Sequence, residues 1–280
     1  MTFIVTLVAL LIERFFDWSH LRQWRWYTAY LQFVGNKLPG QPAYLVLGIA
    51  IAILLAVIAL INFLLSDVLF GFVQLLFHLF IVLYALGPQN LWADTYTCIN
   101  SMKKEDERTA KNKLTTSFGM PDDRYSQSLQ RYLLNNIFIE ANRRVFAVIF
   151  WYALLGPLGA LLYRLLNLSS TTLPDEASAA VSHDARVVES LLDWVPARIL
   201  TFVFALGGHF VQVFSIWLRK VGQGLASNES LLTESGFAAI GFEQEDKIPD
   251  DGSAERQAIS LLDRVFIIIL VIIAAGVLMA

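Results

Sequence analysis

A single cysteine, Cys98, stands in 280 residues, which excludes an intramolecular disulfide framework and any multi-thiolate metal site. Charge is also scarce. Charged residues make up 16% of the chain, against about a quarter in an ordinary soluble domain. A net charge of −3 leaves neither the basic footprint of a nucleic-acid binder nor a strongly acidic tail. Histidine is limited to His20, His78, His183 and His209, and no two of them stand at the spacing of a paired-histidine zinc motif. The chain also lacks a Walker-type nucleotide loop and a dinucleotide glycine fingerprint. Ser101 and Lys104 match the Ser-x-x-Lys spacing of penicillin-recognising enzymes, but the companion elements that give it force are missing. The first residues carry neither a basic segment nor a small-residue cleavage site, so they read as retained rather than as a signal peptide.

Apolar residues are what the chain has instead. They reach 56%, with a mean hydropathy of +0.55, and so much apolar surface requires lipid. The expected fold is all-α: a polytopic membrane helical bundle with amphipathic cytoplasmic helices, forming one membrane domain over residues 1–280. The stretch 43–65 is free of charge and exceeds the roughly 20 residues that a bilayer core demands. After Ser66, Asp67 and Val68 a second apolar stretch, 69–86, is interrupted only by Gln74 and His78, which predicts a tight helical hairpin. Further membrane segments are expected at 145–166, 197–218 and 261–280. The stretch 2–16 is too short to cross alone and inserts partly or packs against the bundle.

Gly156 and Pro157 interrupt 145–166. Proline inside a helix removes a backbone hydrogen bond, so this segment is either a kinked span or a re-entrant hairpin. Lys and Arg concentrate before residue 43 and across 103–144, which places both regions in the cytoplasm. With 145–166 spanning, 167–195 and its lone Arg186 are periplasmic; with 145–166 re-entrant, that assignment inverts. The polar stretch 87–144 has apolar residues at helical spacing and reads as two amphipathic helices broken near Gly119, Met120 and Pro121. Residues 177–192 read as another amphipathic helix, with Pro196 opening the next one. Between 241 and 255 the acidic residues Glu243, Glu245, Asp246, Asp250 and Asp251 favour irregular structure.

Candidate ligand-binding residues lie where charge meets apolar sequence. Glu13, Arg14 and Asp17 follow the first apolar stretch; Glu140 and Arg143, with Arg144, precede 145–166. Arginine suits phosphate or carboxylate because its planar fork gives paired hydrogen bonds. The plainer reading of these clusters is positive-inside anchoring with local ion pairs. Asp193, Trp194 and Arg198 surround Pro196, and Arg198 in a helix's first turn opposes the dipole, which a bound anion or an ion pair with Asp193 would relieve. His78 and His209 read first as bundle-interior residues bonded to neighbouring helices, and second as relay or ligand groups. No catalytic residue, metal ligand or cofactor is assigned.

Several segments carry a family resemblance. Residues 10–16 (Leu-Leu-Ile-Glu-Arg-Phe-Phe), Phe150, Trp151 and Tyr152 with Gly156, residues 191–198 (Leu-Leu-Asp-Trp-Val-Pro-Ala-Arg) and residues 205–209 (Ala-Leu-Gly-Gly-His) resemble the AmpE family nearly end to end. That resemblance implies a bacterial inner-membrane, multi-pass protein that modulates β-lactamase regulation, functionally linked to the anhydro-muropeptide amidase AmpD, with membrane lipid and an anionic or muropeptide-like ligand as partners. AmpE is in turn similar to the cobalamin-pathway membrane synthases CbiB and CobD, which residues 159–167 and 194–198 resemble in shape. Where those synthases carry an Asn-Thr-Leu-Asp stretch, this chain has Asn167, Leu168, Ser169 and Ser170; where they carry Glu-Asn-Leu-Ser-Asp, it has Glu140, Ala141, Asn142, Arg143 and Arg144. Losing carboxylates that hold magnesium or transfer protons implies loss of the synthase reaction and survival of a ligand pocket, which would include Asn167. An ATP-dependent ligase and a solute transporter are the alternatives.

Overall fold

The computed structural model describes residues 2–15, 24–65, 71–86, 90–104, 106–120, 129–171, 179–243, 246–249 and 251–279. Among them every regular element is helical, as the all-α expectation requires. The chain divides into two compact units, Met1–Pro88 with Ala147–Asp193, and Gln89–Phe146 with Trp194–Ala280.

In the first unit, α1 (Thr2–Phe15), α2 (Arg25–Lys37), α3 (Ala43–Leu64), α4 (Phe72–Ala85) and α8 (Ala147–Thr171) pack with the opening half of α9 (Ala179–Gly207). The core gathers Tyr27, Leu31, Leu47, Ala50 and Ile81 around Leu161, Leu165 and Ala185. The phenol of Tyr27 and the hydroxyl of Ser169 share a hydrogen bond of 2.8 Å, and Tyr30 donates to the carbonyl of Ala50 at 3.0 Å. The outer side of α3 exposes Ile49, Ile53, Val57, Leu60 and Phe63, a continuous apolar face that water would not tolerate.

α3 and α4 are joined by the amide of Asn62, whose Oδ1 accepts from Gln74 Nε2 at 3.3 Å and lies 2.9 Å from His78 Nε2. Since that oxygen can only accept, His78 carries its proton on Nε2, and Nδ1 accepts from the phenol of Tyr152 at 3.1 Å. His78 is thus bonded to neighbouring helices, as its plainer sequence reading expects. α3 and α4 each pack against α8.

α8 bends sharply at Gly156, where φ is 63° and ψ −152°, a conformation essentially restricted to glycine. A Cβ on Gly159 would come within 2.3 Å of the carbonyl oxygen of Trp151. In a straight helix two residues eight apart are separated by about 12 Å, so the chain turns back on itself here.

The second unit contains α5 (Leu91–Lys103), α6 (Glu107–Phe118), α7 (Leu129–Glu140) with a π-helical turn Ala141–Phe146, the closing half of α9, α10 (Phe210–Lys220), α11 (Asn228–Ala239) and α12 (Ser253–Met279). α5 and α6 are separate helices, each with its own cap: Asn90 accepts from the amide of Ala93 at 3.0 Å and Asp106 from that of Thr109 at 3.1 Å. The polar region expected to hold two helices therefore holds three among its described residues, because Asp106 starts a new one only a few residues after the first ends. Phe138 forms the centre of the unit, with ring centroids 5.6 Å from Phe204 and 6.3 Å from Phe237.

α9 also departs from the sequence reading. It runs unbroken through Pro196, so Arg198 lies mid-helix and not in a first turn. The apolar stretch 197–218 is divided instead at Gly208 and His209. A Cβ on Gly208 would sit 2.4 Å from the carbonyl oxygen of Ala239, so this crossing with α11 requires glycine, and the chain leaves the helix there to restart as α10. Among the described residues, four helices are long and apolar enough to cross a bilayer: Ala43–Leu64, Leu129–Thr171, Ala179–Gly207 and Ser253–Gly276.

Candidate functional site

Buried polar groups concentrate on two facing stripes of the first unit. Arg164, Asn167 and Ser170 recur at three-residue spacing along α8, and the buried Ser182, Glu189 and Asp193, with the exposed Arg186 among them, at three- and four-residue spacing along α9, so each set shares one face of its helix. Arg164 is 1% exposed, Asn167 7% and Glu189 4%, in an environment where an uncompensated charge is costly. The guanidinium of Arg164 donates from Nε to the carbonyl of Ala85, at the electronegative end of α4, and from Nη1 to Asn167 Oδ1 at 2.7 Å. Asn167 Nδ2 donates to Glu189 Oε1 at 2.7 Å, and the hydroxyl of Ser170 donates to Glu189 Oε2. The positive and negative ends of this chain are therefore bridged by one amide. Nearby, the phenol of Tyr163 donates to Asp193 Oδ1 at 2.7 Å.

In the second unit Arg144, on the π-helical turn, ties three helices together. It lies beside Glu140, donates to the carbonyl of Ser117, and stands 3.4 Å from Asp94. Asp94 also receives Lys113 at 2.6 Å. π-Helical turns are rare; on this one Arg144 is buried while its neighbour Arg143 is partly exposed and pairs with Glu229 on α11 at 2.8 Å.

Arg198 organises the loop between α10 and α11. Its Nε donates to Val221 O at 2.8 Å, Nη1 to Trp194 O at 2.9 Å and Asn228 Oδ1 at 2.8 Å, and Nη2 to Gln223 O at 2.7 Å and Ser227 Oγ at 3.4 Å. Five N–H groups meet five acceptors, the full capacity of a guanidinium. The guanidinium also lies 4.1 Å from the ring centroid of Trp194, whose indole donates to Gln223 O at 3.2 Å. The opposition to the helix dipole inferred for a first-turn Arg198 does not arise, since α9 begins well before it.

The sequence-derived site residues thus fall into distinct settings. Glu13 is buried on α1 and engaged, Arg14 is half-buried and engaged, and Asp17 lies outside the described residues. Asn167 and Asp193 belong to the first unit; Glu140, Arg143, Trp194, Arg198 and His209 belong to the second. His209, expected inside the bundle, is exposed at the break before α10, because Gly208 ends the helix one residue earlier. Arg164, Ser170, Glu189 and Asp94 were missed. The signal for the first three was present: polar residues at helical spacing on two consecutive helices. Asp94 had none, since a single carboxylate on a polar helix is ordinary.

Helices of this length and apolarity, with arginines and carboxylates gathered into buried networks, define an integral membrane protein of the helical-bundle class. The family described as regulatory signalling modulator protein AmpE matches residues 1–279, and the chain belongs to that family. It is also similar to the cobalamin biosynthesis protein CobD of Chromobacterium violaceum, with 26% identity over 113 residues, 40% of this chain and 36% of that relative's length. No solved structure matches.

Proposed function

We propose that this protein is a multi-pass protein of the bacterial inner membrane that modulates β-lactamase induction within cell-wall recycling, functionally linked to AmpD, by binding an anionic or cell-wall-derived ligand in a polar pocket of the bundle. The observation that carries this reading is membership of a regulatory signalling family across residues 1–279. The side-chain chemistry accords with it. Arg144, Arg164 and Arg198 are held by oxygens of the protein itself, as suits a framework that sets the arrangement of helices. Arg143 and His209, which are more exposed, are the residues we assign to ligand contact. The test is β-lactamase induction by a cell-wall-acting antibiotic in a deletion strain carrying either the wild-type chain or an Arg143→Ala, His209→Ala variant. Wild type should restore the inducible response and the variant should not; full restoration by the variant removes ligand contact from the proposal.

An ATP-dependent ligase is a second reading, favoured by the similarity to CobD over 113 residues. It predicts that ATP with magnesium raises the unfolding temperature of the purified protein. An unchanged temperature argues against it.

A further inference from the structure

A cleft of about 330 Å³ opens in the second unit where the break between α9 and α10 meets α11 and α12, with Gly208, His209, Ala239, Gln257, Ser260 and Arg264 among its walls. Its lining includes no acidic residue. Gln257, Ser260 and Arg264 follow one another at spacings of three and four, on one face of α12, and all three are exposed. Arg264 donates from Nε to the carbonyl of Ser260, one turn back on its own helix, at 3.3 Å, and its terminal nitrogens meet no acceptor among the described residues. The side chains of His209 and Gln257 likewise have no hydrogen-bond partner among them. Asp263, the adjacent carboxylate, accepts from the indole of Trp92 at 3.0 Å.

The position of Arg264 makes an unpaired guanidinium expensive. It is the last charged residue of the chain, and from Val265 to the end every residue is apolar or glycine. The cleft therefore lies where α12 passes from its polar opening turns to a lipid-compatible run, the level at which headgroups meet the hydrocarbon. An ionised side chain within an apolar helix calls for a partner, and a planar fork with free N–H groups fits a phosphate or carboxylate.

We propose that this cleft is an anion-binding site for a phosphate group, held by Arg264 with His209, Gln257 and Ser260 as additional donors, the phosphate coming either from an anionic phospholipid headgroup or from a soluble phosphorylated solute. Gly208 shapes the site, since only a residue without Cβ lets the α9 break approach Ala239 closely enough to bring His209 over the cleft. The assignment deepens the ligand-binding part of the functional reading and is independent of its regulatory part.

The experiment uses the full chain in phosphatidylcholine nanodiscs. Inorganic phosphate is titrated as the soluble probe, and retention of phosphatidylglycerol through delipidation is measured by native mass spectrometry as the lipid probe. The wild-type protein should bind one of the two, which identifies the source, and Arg264→Gln should weaken that binding by about tenfold or more. Arg264→Lys should keep part of it, and Arg219→Gln, on α10 outside this cleft, should keep all of it. Circular dichroism of each variant confirms that the helices are intact. Binding by Arg264→Gln equal to wild type, or no binding of either probe by the folded wild type, overturns the site. Lost phosphate binding with unchanged β-lactamase induction leaves the site standing and counts against the regulatory reading instead.

Discussion

The indole Nε1 of Trp151 donates to the carbonyl oxygen of Leu192 at 3.3 Å. That carbonyl lies four residues before Pro196 and is the one whose helical partner the proline ring removes. Trp151 therefore supplies the donor that Pro196 cannot, and α9 continues where a proline would ordinarily end it. Trp151→Phe should destabilise the protein by about 1 kcal/mol, the lower end of the cost of an unsatisfied carbonyl, since this bond is part-buried. Adding Pro196→Ala, which returns an N–H to the helix, should recover part of that loss in detergent unfolding. A double variant no more stable than Trp151→Phe would show that the indole bond does not compensate for the proline.

Arg198 should not be replaceable by lysine. An ammonium has three donors and no fork, whereas five acceptors converge on the guanidinium. Arg198→Lys should loosen residues 221–228, and trypsin should then cleave after Arg219 or Lys220 faster than in the wild type. Equal cleavage rates would mean that the loop is ordered by other contacts.

The Arg164, Asn167, Glu189 and Ser170 chain predicts a graded response. Glu189→Ala leaves buried donors and a buried cation without their carboxylate and should cost about 3–5 kcal/mol. Glu189→Gln keeps an acceptor for Asn167 and should cost less. If the two variants unfold at the same midpoint, the charge contributes nothing beyond its hydrogen bonds.

Cys98 should resist alkylation. Burial, reinforced by the charge of Asp94 and offset in part by Lys113, pushes its thiol from an ordinary 9.0 up to about 12, and the thiolate is the reactive form. A maleimide at neutral pH should modify it far more slowly in folded than in denatured protein. Because the folded state holds the proton more tightly, the unfolded state binds fewer protons between those two values, and this thiol's contribution to stability falls as pH rises from about 9 towards 12. Cys98→Ser should lessen that alkaline loss.

Gly156→Ala should be destabilising by about 1–3 kcal/mol, since a Cβ is strained at φ 63° and ψ −152°. Gly48, helical on α3 with open space at its Cβ, is the control: Gly48→Ala should be neutral or slightly stabilising in the same unfolding measurement.

Membrane class, helical content and the main apolar segments were legible in the sequence because they depend on the local density and period of apolar residues, which neighbours along the chain report directly. The Gly156 bend was legible as a break because Pro157 beside it removes a backbone hydrogen bond. What only tertiary structure decided was which breaks take effect and which polar groups meet. Pro196 does not interrupt α9, since an indole 41 residues from Leu192 in sequence serves that carbonyl, while Gly208 does end it, since Ala239 on another helix leaves no room for a side chain. Arg198 looked available for an anion, and the folded loop occupies all five of its donors. Arg264 and Asp263 are the two charges in the otherwise apolar stretch 261–280, and the fold lines Arg264 up with His209, Gln257 and Ser260. Composition sets the solvent a helix prefers; the partners of its buried charges are set by contacts between residues far apart in the chain, and a single sequence does not contain those distances.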